Sequence, residues 1–304
     1  MKPKALHAGD TITLVSPASP LAEEKLLAVT TLLEGEGYRV KLSPHALEAD
    51  HHLAGTDEDR ARDLQEAFAD ESTDAILCTR GGYGCARLFP HLDVARMAGS
   101  GKMFLGFSDI TTLHLALNGH GLPTVHAPMA LTLHYPREPW VIQSFLNALK
   151  GDATVRPDVP RGETVVGGTA DGVVTGGCLC LLMDSVGTAY PLETEGKILL
   201  IEDVDEAPHR VDAMLTHLLN CGLAQTAEGF VIGEMTGSDG KVDAGIGGKP
   251  WREIAQERLA PLGKPMILNY PFGHARNMLT LPLGIRASLD ADQGTLTYTE
   301  SLCA

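Results

Sequence analysis

Lys102-Met103-Phe104-Leu105-Gly106-Phe107-Ser108-Asp109 is an apolar run that stops at a glycine and then presents a serine. Ile110-Thr111-Thr112-Leu113-His114-Leu115-Ala116-Leu117 follows and reads as a helix. A serine on a tight strand-to-helix turn is held out of its sheet. Amide N–H groups at the helix start point towards it and can stabilise a developing oxyanion. Those are the mechanics of a nucleophile elbow. The same residues have a simpler use, since Ser108 or Asp109 can cap the helix, and caps are far commoner than nucleophiles.

Outward from this turn, the flanking sequence alternates between strand and helix. Thr11-Ile12-Thr13-Leu14-Val15 is a β-branched run stopped by Ser16-Pro17-Ala18-Ser19-Pro20, as proline stops a strand. A helix from about Ala22 to Leu33 ends before Gly35 and Gly37, and Tyr38–Leu42 is the next strand. Thr56-Asp57-Glu58-Asp59 resembles a capping box, opening a helix whose apolar face includes Leu64, Ala67 and Phe68. Ala75-Ile76-Leu77-Cys78 is a third strand, running into Thr79-Arg80-Gly81-Gly82-Tyr83-Gly84. This alternation is the pattern of a doubly wound sheet, in which ligands bind beyond the carboxyl ends of the strands. Ser16, Gly81-Gly82 and Ser108 all fall at such ends. The Arg80–Gly84 loop has neither a Walker lysine nor dinucleotide spacing; it reads as a ligand-approaching loop or as an ordinary glycine turn.

The first domain is expected to span 1–150, and the Gly-, Pro- and Thr-rich stretch 151–171 to be a linker. A second domain, 172–304, opens with Val173–Cys178. Leu179–Ser185 reads as a helix, and Lys197–Ile201 as an apolar strand ending in Glu202-Asp203. Apolar residues at 211, 214, 215, 218 and 219 form a helical stripe. Gly229–Gly233 and Pro265–Leu268 are further strands, the latter leading to Gly273-His274, and the tail 285–299 is expected to be closing β structure.

The chain has 304 residues and is 44% hydrophobic, enough for two packed domains. A net charge of −15 argues against nucleic acid and anionic membrane as partners. No signal-peptide pattern or transmembrane run is visible, and the six cysteines include no Cys-x-x-Cys pair. Cys178-Leu179-Cys180 reads as buried thiols rather than a metal framework. His51-His52 lacks further ligands at suitable spacing, and His-Glu-x-x-His is absent. We therefore expect a cytoplasmic protein with no metal and no cofactor.

Three strand ends carry Ser108, Glu202 and His274 in that order. Histidine supplies a base at neutral pH, and a carboxylate fixes its tautomer. Each residue also has a plainer reading: a cap, a solvated charge beside Asp203, and a turn histidine.

The chain resembles the L,D-carboxypeptidase family of serine peptidases, which includes murein tetrapeptide carboxypeptidases and microcin C7 immunity proteins. The resemblance rests on Val15-Ser16-Pro17-Ala18, Arg80-Gly81-Gly82-Tyr83-Gly84, Gly106-Phe107-Ser108-Asp109, Ile201-Glu202-Asp203-Val204, and Gly273-His274 with Asn277 and Leu281-Pro282-Leu283-Gly284. It implies that Ser108 is the nucleophile, Glu202 the orienting carboxylate and His274 the general base. It further implies an oxyanion hole from the amides of Asp109 and Gly82, substrate contacts from Arg80 and Gly81, an active site in an interdomain groove, and a homodimer. Two positions depart from the family pattern. His126-Ala127-Pro128 stands where His-Gly-Pro is usual, and Gly176-Gly177-Cys178 where Gly-Gly-Asn is usual.

The expectation is a two-domain α/β protein, with a flavodoxin-like doubly wound parallel sheet followed by a mixed β/α domain. It would trim terminal D-alanine from murein tetrapeptide in peptidoglycan recycling. One alternative is a microcin-type immunity peptidase acting on peptidyl or acyl-sulfamoyl nucleotides. Another is a non-catalytic ligand-binding protein.

Overall fold

The computed structural model describes residues 1–242, 245 and 248–304. Strands β1 (Thr11–Val15), β2 (Arg39–Leu42), β3 (Ala75–Cys78), β4 (Met103–Gly106) and β5 (Thr124–His126) lie in the first half. The second half holds β6 (Glu163–Val166), β7 (Thr169–Cys178), β8 (Lys197–Val204), β9 (Gly229–Thr236) and β10 (Met266–Leu268). They are followed by β11 (Leu281–Leu283), β12 (Arg286–Asp290) and β13 (Thr295–Tyr298).

Packing divides the chain into two units. One comprises Met1–Ala153, Thr280–Gly284 and Ser301–Ala304, the other Thr154–Leu279 and Ile285–Glu300. This differs from a simple cut with a linker in two ways. Residues 163–166 form β6, which pairs antiparallel with β10 instead of crossing as free chain. The short β11 returns to the first unit and pairs antiparallel with β5. Its Pro282 has no N–H to give, which suits an edge strand.

The first unit's sheet has the order β11-β5-β4-β3-β1-β2, and β1 to β5 are mutually parallel. Omitting β11, this is the 2-1-3-4-5 order of flavodoxin-like sheets. β1, β3 and β4 are buried along their whole length, as strands covered on both faces must be. The Thr56 hydroxyl accepts from the Asp59 amide at 3.1 Å and starts the helix Asp57–Ala69, which buries Leu64, Ala67 and Phe68.

The second unit's sheet runs β13-β12-β7-β8-β9-β10-β6, with β7 to β10 parallel and the outer strands antiparallel. The helix Pro208–Asn220 buries Val211, Met214, Leu215 and Leu218, the expected stripe. No described helix is long and apolar enough to cross a membrane.

Candidate active site

In the first unit, β4 ends at Gly106 and a single 3-10 turn, Ser108–Ile110, leads into the helix Thr111–Gly119. Ser108 has φ of +67°. The left-handed region costs an L-residue about 1–2 kcal/mol, and the turn holds it there. A positive-φ serine on a strand-to-helix turn is the backbone geometry that a nucleophile elbow requires. Ser108 is half-buried, whereas Asp109 beside it is buried.

The Arg80–Gly84 loop presses on this turn. A Cβ on Gly81 would lie 2.7 Å from Ser108 Cβ, 2.9 Å from its Oγ and 3.3 Å from the Asp109 amide nitrogen. Only glycine allows so close an approach. Gly82 follows with φ of +116° and faces Ser19. The loop is fastened from several sides. Asp109 Oδ2 accepts from the Cys85 amide at 2.8 Å, and the Ser19 hydroxyl accepts from the Tyr83 amide at 3.3 Å. The buried Arg60 guanidinium donates to Gly84 O at 3.2 Å and to Pro17 O, and pairs with Asp57. A buried cation needs such partners. Arg80 itself is turned onto backbone, donating to Gly81 O at 3.2 Å and Pro20 O at 3.3 Å.

His114, for which the sequence suggests no role, is wholly buried, and its Nε2 lies 2.9 Å from Gly106 O. A carbonyl only accepts, so Nε2 carries the proton. Burial drives its pKa down to about 3 despite that bond. The ring is thus a neutral brace on the final carbonyl of β4.

In the second unit, Glu202 sits near the carboxyl end of β8 and is fully buried. The β8–β9 register slips around it: Ile201 pairs with Ile232 but Asp203 with Met235, so two steps on β8 oppose three on β9. Such irregularities redirect side chains at sites. Glu202 Oε2 accepts from the His274 amide at 3.0 Å and lies 2.7 Å from His274 Nδ1. A carboxylate acceptor places the proton on Nδ1 and leaves Nε2 as the basic nitrogen. Burial lowers the His274 pKa, but the Glu202 charge and hydrogen bond outweigh it, and the net shift is upward from 6.5. The preceding Gly273 has φ of +82°, and a Cβ there would fall 2.3 Å from Glu202 Oε2.

Two adjacent carboxylates are indistinguishable in the sequence; in the structure they have different partners. Asp203 Oδ2 accepts from the Cys180 amide at 2.9 Å, and its Oδ1 accepts from the Val204 amide at 2.8 Å and from the Cys178 thiol at 3.4 Å. Burial and the neighbouring Glu202 charge raise the Asp203 pKa. The structure thus joins Glu202 to His274 in the second unit, and Ser108 to Gly81 and Asp109 in the first.

The LD-carboxypeptidase N-terminal domain family matches residues 12–127, and the LD-carboxypeptidase C-terminal domain family matches residues 171–289. A murein tetrapeptide carboxypeptidase of Pseudomonas aeruginosa is 33% identical over 93% of this chain and 94% of its own. The crystal structure of a muramoyltetrapeptide carboxypeptidase from Oxalobacter formigenes is 27% identical, with a TM-score of 0.83 over 94% of this chain and 97% of that one. An MccF-like protein from Bacillus anthracis is 26% identical, with a TM-score of 0.86 over 98% and 99%. These relationships set aside the reading of a non-catalytic ligand-binding protein. On both its halves, therefore, the chain belongs to the LD-carboxypeptidase family and is a serine carboxypeptidase.

Proposed function

We propose that the protein hydrolyses the L,D amide bond of murein tetrapeptide and releases terminal D-alanine, with Ser108, His274 and Glu202 as its triad. The observation that carries this reading is the Glu202–His274 pair, which fixes the proton on Nδ1 and leaves Nε2 to act as base. The strained Ser108 turn and the names of the relatives support it.

In this mechanism Ser108 Oγ attacks the scissile carbonyl while His274 Nε2 takes its proton. Glu202 stabilises the imidazolium so formed. The tetrahedral oxyanion rests on the Asp109 and Gly82 amides. His274 then gives its proton to the departing D-alanine amine. It next deprotonates a water, which attacks the acyl-enzyme and frees Ser108. Gly81, packed on the Ser108 turn, and its neighbour Arg80 contact the peptide in this reading. The homodimer implied by the resemblance, and the cytoplasmic location expected from the sequence, belong to this reading.

Similarity to an MccF-like protein favours a second substrate class, peptidyl or acyl-sulfamoyl nucleotides. Purified protein is assayed against murein tetrapeptide and against a nucleotide-linked peptide at matched concentrations. Higher kcat/KM on the tetrapeptide is expected. Turnover of the nucleotide-linked peptide alone would assign the immunity-type activity instead.

A further inference from the structure

Cys178, Cys180 and Asp203 take no part in the chemistry above, yet their three ligand atoms come together in the second unit. Cys178 closes β7, Cys180 lies in the first turn of the helix Leu179–Asp184, and Asp203 lies on β8, which pairs with β7. Cys178 Sγ is 3.5 Å from Cys180 Sγ. Asp203 Oδ1 is 3.4 Å from the first sulfur and 3.8 Å from the second. A tetrahedral ion with metal–sulfur bonds of about 2.3 Å and a metal–oxygen bond of about 2.0 Å has edges of about 3.8 Å between sulfurs and about 3.5 Å from sulfur to oxygen. The three measured edges describe one face of such a tetrahedron.

We infer that Cys178, Cys180 and Asp203 form a binding site for a thiophilic d10 cation such as Zn2+. The two thiols each release a proton to solvent as their sulfur lone pairs bind the ion, and Asp203 adds a carboxylate oxygen, with no change of oxidation state. Two thiolates select Zn2+ or Cd2+ over the hard cations Mg2+ and Ca2+. The carboxylate is already oriented by the Cys180 and Val204 amides, the kind of outer support that ligating carboxylates have. Cys178 and Asp203 are buried, and the partly exposed Cys180 marks the side of entry. Three protein ligands leave a fourth vertex for solvent or a small exogenous ligand. The site is adjacent in sequence to Glu202 but is no part of the hydrolytic mechanism, so its test requires no turnover.

The test is a titration of the full chain with Cd2+ under a phosphine reductant, in a Cys221→Ser background because Cys221 is exposed. Thiolate-to-cadmium charge-transfer absorption should rise to an end point of one equivalent per chain, and Zn2+ should displace it. Cys178→Ser and Cys180→Ser should each weaken binding at least ~10-fold, and Asp203→Asn should weaken it while keeping the band, because both sulfurs remain. In the wild-type chain, which needs no variant to fold, Zn2+ should protect Cys180 from maleimide alkylation while Cys221 still reacts. No charge-transfer band, a band retained in Cys178→Ser/Cys180→Ser, or Cys180 alkylation indifferent to Zn2+ would each overturn the assignment.

Discussion

Glu202 Oε2 accepts two hydrogen bonds from one residue, the amide and the Nδ1–H of His274, at 3.0 and 2.7 Å. A single buried oxygen thus fixes both the backbone position and the tautomer of the histidine. Glu202→Gln keeps the size but removes the charge that supports the imidazolium. We expect kcat to fall by up to ~10⁴-fold with little change in KM. The acid limb of kcat/KM follows deprotonation of His274, whose pKa is raised above 6.5 mainly by Glu202. The wild-type limb should therefore lie above 6.5, and the limb of Glu202→Gln should move to lower pH. A harmless Glu202→Gln beside a crippling Asp203→Asn would assign the carboxylate to Asp203.

Gly273 is the seat on which that pair rests. An alanine there would place its Cβ 2.3 Å from Glu202 Oε2 at a φ of +82°. Gly273→Ala should cost about 1–2 kcal/mol of stability from backbone strain alone, read by denaturant unfolding. It should also lose activity well beyond the fraction unfolded, because Glu202 must move. Full activity in the folded variant would show that the Glu202 position is not critical.

Serine chemistry predicts indifference to chelators. Ser108→Ala should keep its fold and bind substrate but lose at least ~10³-fold in rate, while EDTA should leave wild-type hydrolysis intact. Chelator-sensitive turnover, or a Ser108→Ala enzyme near the wild-type rate, would remove Ser108 from its role.

His114 gives the fold an acid-sensitive point. Its folded pKa of about 3 lies below the 6.5 of an ordinary histidine, so the unfolded chain binds the extra proton first. The stability due to the neutral ring is complete above about pH 6.5 and declines as pH falls towards 3, by up to ~1.4 kcal/mol per pH unit. Urea unfolding at stepped pH should show this slope, reduced in His114→Gln. An identical slope in the variant would attribute the acid sensitivity to other groups.

Most of the first unit's sheet is legible in the sequence because its inner strands, such as Ala75–Cys78 and Met103–Gly106, are continuous apolar runs. β11 is not. Three residues with a central proline carry no strand signal, and the partner β5 is remote in sequence. β6 is hidden similarly, in the four residues Glu163–Val166 of a Gly- and Pro-rich stretch. Ser108, Glu202 and His274 stand out as candidates because each ends or follows an apolar strand. The choice between Glu202 and Asp203 is not, because it depends on which oxygen His274 reaches. The Cys178-x-Cys180 spacing is equally mute, since its third partner stands on β8, brought alongside only by strand pairing.

The proposed activity turns on stereochemistry at the scissile bond. Inverting the terminal alanine exchanges its carboxylate and methyl. Polar groups placed for the D-carboxylate would then face a methyl, at about 1–3 kcal/mol for each unpaired group. Two such mismatches correspond to roughly 10²–10⁴-fold in rate. The measurement is released alanine from L-Ala-D-Glu-meso-diaminopimelate ending in D-Ala, against the same peptide ending in L-Ala. kcat/KM should be at least ~10²-fold higher for the D-alanine peptide; comparable values for the two would refute the L,D assignment.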